Sequence, residues 1–215
     1  MSQSVQVYPE PVLVGDHLAM DFLNSIEVRS NPETECLRDG AGLVRWLERA
    51  GAISKADTKA LRAMKPADLD RTAAKARELR EWFRVTLDDL VASKGCRSAL
   101  SKLTPLIELL EQGHWYWRIA EGRSAQHDNA GKALYLADAI RWNRPDQLLQ
   151  PVARAMAALI CNEDWSRIKH CSNHVCSLVF LDKTKANKRR WCSMAVCGNR
   201  MKNAAHRARV AKERE

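Results

Sequence analysis

Four cysteines near the C-terminal end of the sequence restrict the fold more than any other feature. Cys171 and Cys176 form one Cys-x4-Cys pair, and Cys192 and Cys197 form a second pair after an interval of fifteen residues. Two cysteine pairs at such an interval are typical of a zinc site. Because helical residues five apart point about 140° away from each other, Cys192 should precede a helix and Cys197 should lie in its first turns. We therefore predict that these four thiolates bind one Zn²⁺ ion.

A zinc ion with four thiolate ligands has no open coordination position, so the predicted ion is structural and not catalytic. Its binding would supply roughly 10–16 kcal/mol of apparent folding free energy to a segment too small to fold alone. An iron site or a redox switch is an alternative, since thiolates also suit iron–sulfur chemistry. A second alternative is that the four cysteines are core thiols that bind no metal. His170 and His174 lie close to the predicted ligands in the sequence. Either could replace a cysteine, but we expect them at the surface or hydrogen-bonded to a ligand.

The basic residues are concentrated at the same end of the chain. The formal net charge is +9 over 215 residues, and residues 183–215 alone hold eleven Lys or Arg against two Glu. The rest of the chain is therefore neutral. A concentrated positive charge is typical of a nucleic-acid-binding surface, because each cation that meets a phosphate releases a counterion. A solvated basic helix without a partner is the alternative interpretation.

Eight residues of this basic stretch are candidates for nucleic acid contacts. They lie in the loop before Cys192 and in a helix predicted from about Met194 to Ala211, with Ser193 as its cap. Asn199 and Asn203 are expected to read base edges, whereas Arg200 could instead bond carbonyls near the zinc. The candidates are Lys188, Arg189, Arg190, Arg200, Lys202, Asn203, Arg207 and Arg209.

Helix signals dominate the first two thirds of the chain, which we assign to one mainly α domain, residues 1–163. A second domain, residues 164–215, begins near Asp164. An apolar stripe follows Pro66 over several turns and predicts a long helix. Thr104 and Pro105 predict a further helix that ends at Gly113, with Thr104 as its cap and Pro105 as its first residue. We also expect Asp16 to cap a helix that runs to Ile26.

Alternating apolar residues predict a small β-hairpin inside the helical domain. The two strands run from His114 to Ala120 and from Lys132 to Ala139, around a polar loop at 122–131. Trp115 and Trp117 share one face of the first strand, where we expect them in the core; stacking on a base or covering a ligand is the alternative.

Asp21 and Asn24 share a helix face further upstream. We expect them to be a buried, hydrogen-bonded structural pair; lining a pocket is the alternative.

Sequence motifs exclude several function classes. The N-terminus has no signal-peptide pattern and no stretch approaches a membrane span of about 20 apolar residues, so we expect a cytoplasmic protein without a membrane partner. No nucleophile elbow, phosphate loop, dinucleotide fingerprint or zincin motif occurs. We therefore expect no enzymatic activity.

The segment WCSMAVCGNR at 191–200, preceded by CSNHVCSLVFLDKTKANKRR, resembles the CGNR zinc-finger family. The segment LAMDFLNS at 18–25 and WLERAG at 46–51 resemble the ABATE domain that usually accompanies it. The resemblance implies a helical N-terminal domain and a zinc-ribbon-like or treble-clef-like C-terminal module that ends in a basic helix. It also implies the four cysteine ligands, the Gly198–Arg200 signature, and a stress-linked transcriptional role in bacterial proteins.

The leading hypothesis is a DNA-binding transcription regulator whose helical domain senses a small-molecule effector or forms a homo-oligomer. DNA is favoured over RNA, since no RNA-recognition signature is present. The alternative is a zinc-stabilised protein-interaction or RNA-binding module. A protein-interaction module does not need the basic charge observed at this end of the chain.

Overall fold

The computed structural model describes residues 8–26, 34–93, 99–113, 115–121 and 134–212, and the predicted loop at 122–131 lies outside them. Helices dominate, as predicted, and two small antiparallel hairpins, β1–β2 and β3–β4, accompany them. The elements in chain order are α1 Leu18–Leu23, α2 Gly40–Arg49, α3 Lys55–Arg62, α4 Pro66–Ala92, α5 Ala99–Lys102, α6 Thr104–Glu111, β1 Trp115–Glu121, β2 Leu134–Ile140, α7 Gln150–Asn162, β3 Ile168–His170, β4 Val179–Leu181 and α8 Asn199–Lys212.

The long helix α4 is the centre of the helical domain. Pro66 stands at its start, where the missing N–H costs nothing. Its buried stripe includes Ala76, Phe83 and Leu90, and α1, α2 and the 3₁₀ turn before α7 pack against it. One charged residue lies within this stripe: Arg80 is 2% exposed, and it donates to both carboxylate oxygens of Glu35. Apolar packing around α4 thus forms the core, and the Arg80 guanidinium within it is neutralised by the Glu35 carboxylate.

The start of α1 differs from the sequence prediction. The residue that caps α1 is His17, whose Nδ1 accepts from the N–H of Ala19 at 3.2 Å. Asp16 cannot be the cap because it adopts a left-handed conformation at φ 56°. The chain therefore turns sharply just before the helix. Similarly, Thr104 is the first residue of α6 and its hydroxyl donates to the Ser101 carbonyl, so the cap predicted there is wrong.

The hairpin β1–β2 forms where it was predicted, but its tryptophans are not in the core. Trp117 is 75% exposed, and Trp115 is 37% exposed beneath the guanidinium of Arg154, 4.8 Å from its ring centroid. The expectation that Trp117 packs in the core is therefore wrong. Strand alternation correctly shows which residues share a face, but it does not show whether another element covers that face.

The C-terminal module consists of the hairpin β3–β4, a loop and the helix α8. β3 pairs with β4 in the register Ile168–Leu181 to His170–Val179. A five-residue π turn, Met194–Gly198, leads into α8, and Ser193 caps it by accepting from the Val196 N–H at 3.3 Å. A hairpin followed by a zinc-binding loop and a helix is the treble-clef-like arrangement predicted from the sequence. None of the helices that the structure describes has both the length and the apolar composition needed to cross a membrane.

Candidate metal centre

The four predicted ligands come together at one point of the C-terminal module. Cys171 directly follows β3, Cys176 precedes β4, Cys192 ends the loop and Cys197 lies in the turn before α8. All four Sγ atoms lie within 4.8 Å of one another. The Sγ of Cys192 lies 3.8 Å from that of Cys176 and 3.6 Å from that of Cys197.

These separations fit a tetrahedral zinc site. Zn–S bonds of about 2.3 Å place tetrahedral sulfurs about 3.8 Å apart, whereas a disulfide would need about 2.05 Å. Cys171, Cys192 and Cys197 are buried and Cys176 is half-buried, so water has little access to the four sulfurs or to an ion among them. The residues present therefore hold one structural Zn²⁺ ion, and its position as the anchor of α8 agrees with the sequence prediction.

The surroundings of the sulfurs favour a metal-bound state. Burial raises the pKa of the Cys176 thiol to about 11, and burial with the neighbouring Cys197 sulfur raises the pKa of Cys192. Burial opposes the thiolate form of Cys171 as well, but the backbone N–H groups of Cys192 and Asn173 lower the pKa of this thiol overall. Several thiols at this spacing lose their protons only when a cation compensates their charge.

Polar groups around the site orient the ligands. The buried Asn173 donates from Nδ2 to the Sγ of Cys197 at 3.4 Å, and its carbonyl accepts from the Cys176 N–H at 2.8 Å. The N–H of Cys192 points at the Sγ of Cys171 at 3.5 Å. Donors of this kind stabilise thiolate charge and fix the positions of the sulfur atoms. The cysteine spacing alone did not predict these contacts.

A fully buried carboxylate, Asp182, holds the loop that precedes the second cysteine pair. It accepts from Lys169 Nζ at 2.6 Å, from the Arg189 N–H at 2.8 Å, and from both the hydroxyl and the N–H of Thr184 at 2.6 and 2.9 Å. Burial alone would raise the pKa of Asp182, but the Lys169 ammonium and the Thr184 donors hold it well below the usual range. No sequence pattern predicted a role for this residue.

Arg189, a predicted nucleic acid contact, is instead built into the module. Its guanidinium lies 4.1 Å from the ring centroid of Phe180, pairs with Asp16, and donates to the carbonyl of Val14 at 2.8 Å. It also donates to the carbonyls of Trp191 and Cys192. These contacts use all three nitrogens of the guanidinium as donors, and they connect the zinc loop to the residues before α1. Arg189 is therefore a structural residue in this fold.

The helical domain and the zinc module meet through α1 and β4. The side-chain amide of Asn24 bonds the backbone of Val179 in both directions, and the N–H of Leu181 donates to the Gly15 carbonyl at 2.8 Å. Asn24 is buried, as expected, but its partner is this distant strand. Asp21 accepts from the Gly15 N–H at 2.8 Å, and burial raises its pKa to about 6. Together these bonds fix the zinc module to the end of α1.

The other candidate nucleic acid residues are exposed. Lys188 and Arg190 line a groove of about 670 Å³ that also includes Lys169, His170 and Ser172. On α8 the exposed candidates are Arg200, Lys202, Asn203, Arg207 and Arg209. His170 lies 3.2 Å from Asp88 on α4 and His174 is exposed, so neither imidazole belongs to the sulfur cluster.

The fold and the site define a class: a helical domain joined to a small module with a four-cysteine structural zinc site. The profile of the ABATE family, described as "Putative stress-induced transcription regulator", matches residues 16–163, and the profile of the CGNR zinc finger matches residues 167–210. The chain belongs to the ABATE family and carries a CGNR zinc finger at its C-terminal end. A search of curated proteins gives no match.

Proposed function

We propose that this protein is a DNA-binding transcription regulator in which the zinc site fixes a cationic recognition helix, α8. One observation supports the proposal above all others. The described side chains of α8 are exposed almost all around, and the helix packs mainly against the π turn that holds Cys197. A short polar helix that covers no core of its own domain gains little from packing. A polyanion partner would supply the missing contacts.

The arrangement of charge on α8 suits a groove of duplex DNA. At about 100° of rotation per residue, the exposed cations fall on one half of the helix. Arg200 and Arg207 lie along one edge of this half, and Lys202 and Arg209 lie along the other. Asn203 lies between the two edges. Cations at two edges match the two phosphate backbones that flank a groove, and a central amide matches base edges.

The composition of α8 supports the same assignment. The helix has no Asp or Glu over residues 199–212, so no carboxylate repels a phosphate. Lys188 and Arg190 on the neighbouring groove extend the positive surface beyond the helix. A duplex laid along this surface would release counterions at each contact, and the affinity would fall steeply with salt.

Fluorescence anisotropy with a labelled DNA duplex tests the proposal. Between about 50 and 200 mM salt the affinity of the zinc-loaded protein should fall steeply. The double variant Arg207→Ala/Arg209→Ala should bind more weakly and show a salt slope smaller by about 2 in the log–log plot. The matched control, Lys55→Ala/Lys59→Ala on the exposed surface of α3, removes the same charge elsewhere and should change little.

Weak binding that is the same for both double variants would exclude α8 as the contact surface. Tighter binding to a structured or single-stranded RNA of equal length, with the same loss in the α8 variant, would replace DNA by RNA. The proposed role is non-catalytic, because a zinc ion with four thiolates has no open position at which to activate water.

We further propose that the helical domain senses a small molecule in a cavity of about 430 Å³ between the hairpin and the start of α3. Tyr116, Arg118 and Tyr135 line one side, and Ser54 lies on the other. Asp57 and Asp138 also line the cavity, but Asp57 bonds the Ser54 hydroxyl and Asp138 pairs with Arg154. The Arg118 guanidinium and the aromatic rings therefore suit a small aromatic carboxylate. Benzoate should raise the melting temperature of the protein and should not raise that of Arg118→Gln. Equal melting temperatures with and without benzoate would contradict this ligand class.

A further inference from the structure

The hairpin β1–β2 exposes a continuous apolar surface on one face. Ile119 pairs with Leu136 across the two strands, and Trp117 and Leu134 lie diagonally on either side of this pair. Their exposed fractions are 75% for Trp117 and Ile119, 63% for Leu136 and 56% for Leu134. We call these four residues the hairpin patch. Four large apolar side chains next to one another form a patch of the size that often serves as an interaction site.

The same face is covered at its other end. Ile140 is buried, and Arg154 of α7 lies over the Trp115 ring and pairs with Asp138. Within the part of the chain that the structure describes, the helical domain therefore packs against one half of the face only. An isolated two-stranded sheet is marginally stable in water and gains from cover on its apolar side, so the hairpin patch is the half that requires a partner.

The charges around the hairpin patch disfavour nucleic acid as that partner. Glu121 lies directly opposite Leu134 on the neighbouring strand, and Asp138 lies directly opposite Trp117. The hairpin patch therefore has a carboxylate beside each of these two residues. Arg154 neutralises Asp138, and Glu121 remains at the edge. Phosphates would meet a surface that is apolar at its centre and acidic at its corner, the reverse of the α8 surface.

The charge pattern fits a second copy of the same chain. An apolar centre is complementary to itself, and a two-fold arrangement leaves the Glu121 carboxylates at the rim, where water solvates them. The four side chains expose on the order of 400 Å² per copy, or about 800 Å² for a pair. That area is below the standard size of a stable interface, so the association should be weak and reversible.

We propose that the hairpin patch is a homodimer interface in which the Ile119–Leu136 face of one protomer packs against the same face of its partner. The inference does not depend on DNA binding. If both proposals hold, each dimer carries two α8 helices, the number that dimeric regulators place on the two half-sites of one duplex.

Sedimentation velocity of the zinc-loaded protein over a range of micromolar concentrations tests the proposal. The wild type should shift from monomer to dimer as the concentration rises. Ile119→Glu places two carboxylates at the centre of the interface and should raise the dissociation constant by at least about tenfold. Val85→Glu is the matched control, because Val85 is an exposed apolar residue on α4, 66% exposed and outside the patch; it should dimerise like the wild type.

Both variants change exposed side chains, so circular dichroism and zinc content should match the wild type. A wild type that stays monomeric over the whole range would overturn the proposal. A dimer that persists unchanged in Ile119→Glu would overturn it too, because the interface would then lie elsewhere.

Discussion

The side-chain amide of Asn24 pairs with the backbone of Val179 as a third strand would, donating to its carbonyl at 2.9 Å and accepting from its N–H at 2.9 Å. Asn24 is 3% exposed and Val179 is also buried, so water cannot replace either bond. The residue at the end of α1 thereby completes the hydrogen bonding of β4, 155 residues further along the chain.

Replacing Asn24 should uncouple the zinc module from α1. Asn24→Ala leaves a buried N–H and a buried carbonyl without partners and should lower the free energy of unfolding by roughly 2–4 kcal/mol. Urea unfolding measures the loss. The exposed Asn162→Ala at the end of α7 is the control and should stay within about 0.5 kcal/mol of the wild type. Equal stability of the two variants would show that the Asn24 bonds do not join the domains.

Removing the charge of Asp182 should destabilise the loop before the second cysteine pair. Asp182→Asn keeps the shape but leaves the Lys169 ammonium without its carboxylate. We expect a loss of about 2–4 kcal/mol, since Lys169 is partly exposed and water recovers part of the cost of a broken buried pair. Thermal unfolding and zinc competition with a chelator measure the effect. Asp89→Asn removes a carboxylate from an exposed pair with Lys102 and should change neither.

Loss of two ligands should abolish zinc binding. Elemental analysis should give one zinc and no iron per wild-type chain, and close to no zinc for Cys176→Ala/Cys192→Ala. Because the ion anchors the start of α8, the variant should also lose part of its helical circular dichroism. Cys161→Ala changes an exposed cysteine outside the cluster and should retain the metal. One bound iron in the wild type would contradict the zinc assignment.

Asn203 should affect the choice of DNA sequence more than total affinity. Asn203→Ala removes the amide between the two cationic edges of α8, at a cost of roughly 1–3 kcal/mol on a preferred site. The salt slope should stay the same, because no cation is lost. Selection from a random duplex pool, followed by anisotropy on the enriched sequence, measures both. Ala205→Gln on the opposite side of the helix should select the same sequence as the wild type.

Asp21 should make stability fall as pH rises through its folded pKa. Burial raises that pKa from 3.8 to about 6, so between these values the folded state binds more protons than the unfolded state. Stability conferred by the proton is present at low pH and is lost by about pH 6. Asp21→Asn should remove this contribution.

Urea unfolding at a series of pH values between 4 and 7 tests the prediction through the difference between the two proteins. Both lose zinc alike at low pH, so that effect cancels. The advantage of Asp21→Asn should grow as pH rises, because the wild type then carries a poorly solvated carboxylate. A difference that is constant with pH would contradict the assigned pKa.

Local sequence signals predicted the parts of the structure that local geometry determines. The cysteine spacing predicted the ligands and the position of α8 behind them, because four sulfurs and one helix permit few arrangements. Strand alternation predicted β1 and β2, because the side chains of a strand point to its two faces in turn. These features depend on residues that are close in sequence.

Contacts between distant segments were not predicted. Arg189 lies in a run of cations and has the same sequence pattern as Arg190, yet only Arg189 reaches Phe180 and the carbonyl of Val14. Likewise, the alternating pattern of β1 does not indicate whether another element packs on the face that carries Trp117. Both outcomes depend on where other elements pack, which one sequence does not specify.

The hydrogen bonds of the zinc module to Val14 and Gly15 also have a consequence for the order in which contacts form during synthesis. These two residues are translated before α1, but their partners Arg189 and Leu181 are translated only after α7. The carbonyls of Val14 and Gly15 therefore lack these partners until the helical domain has been translated. Zinc binding by the module then joins the segment before α1 to a segment that is translated much later.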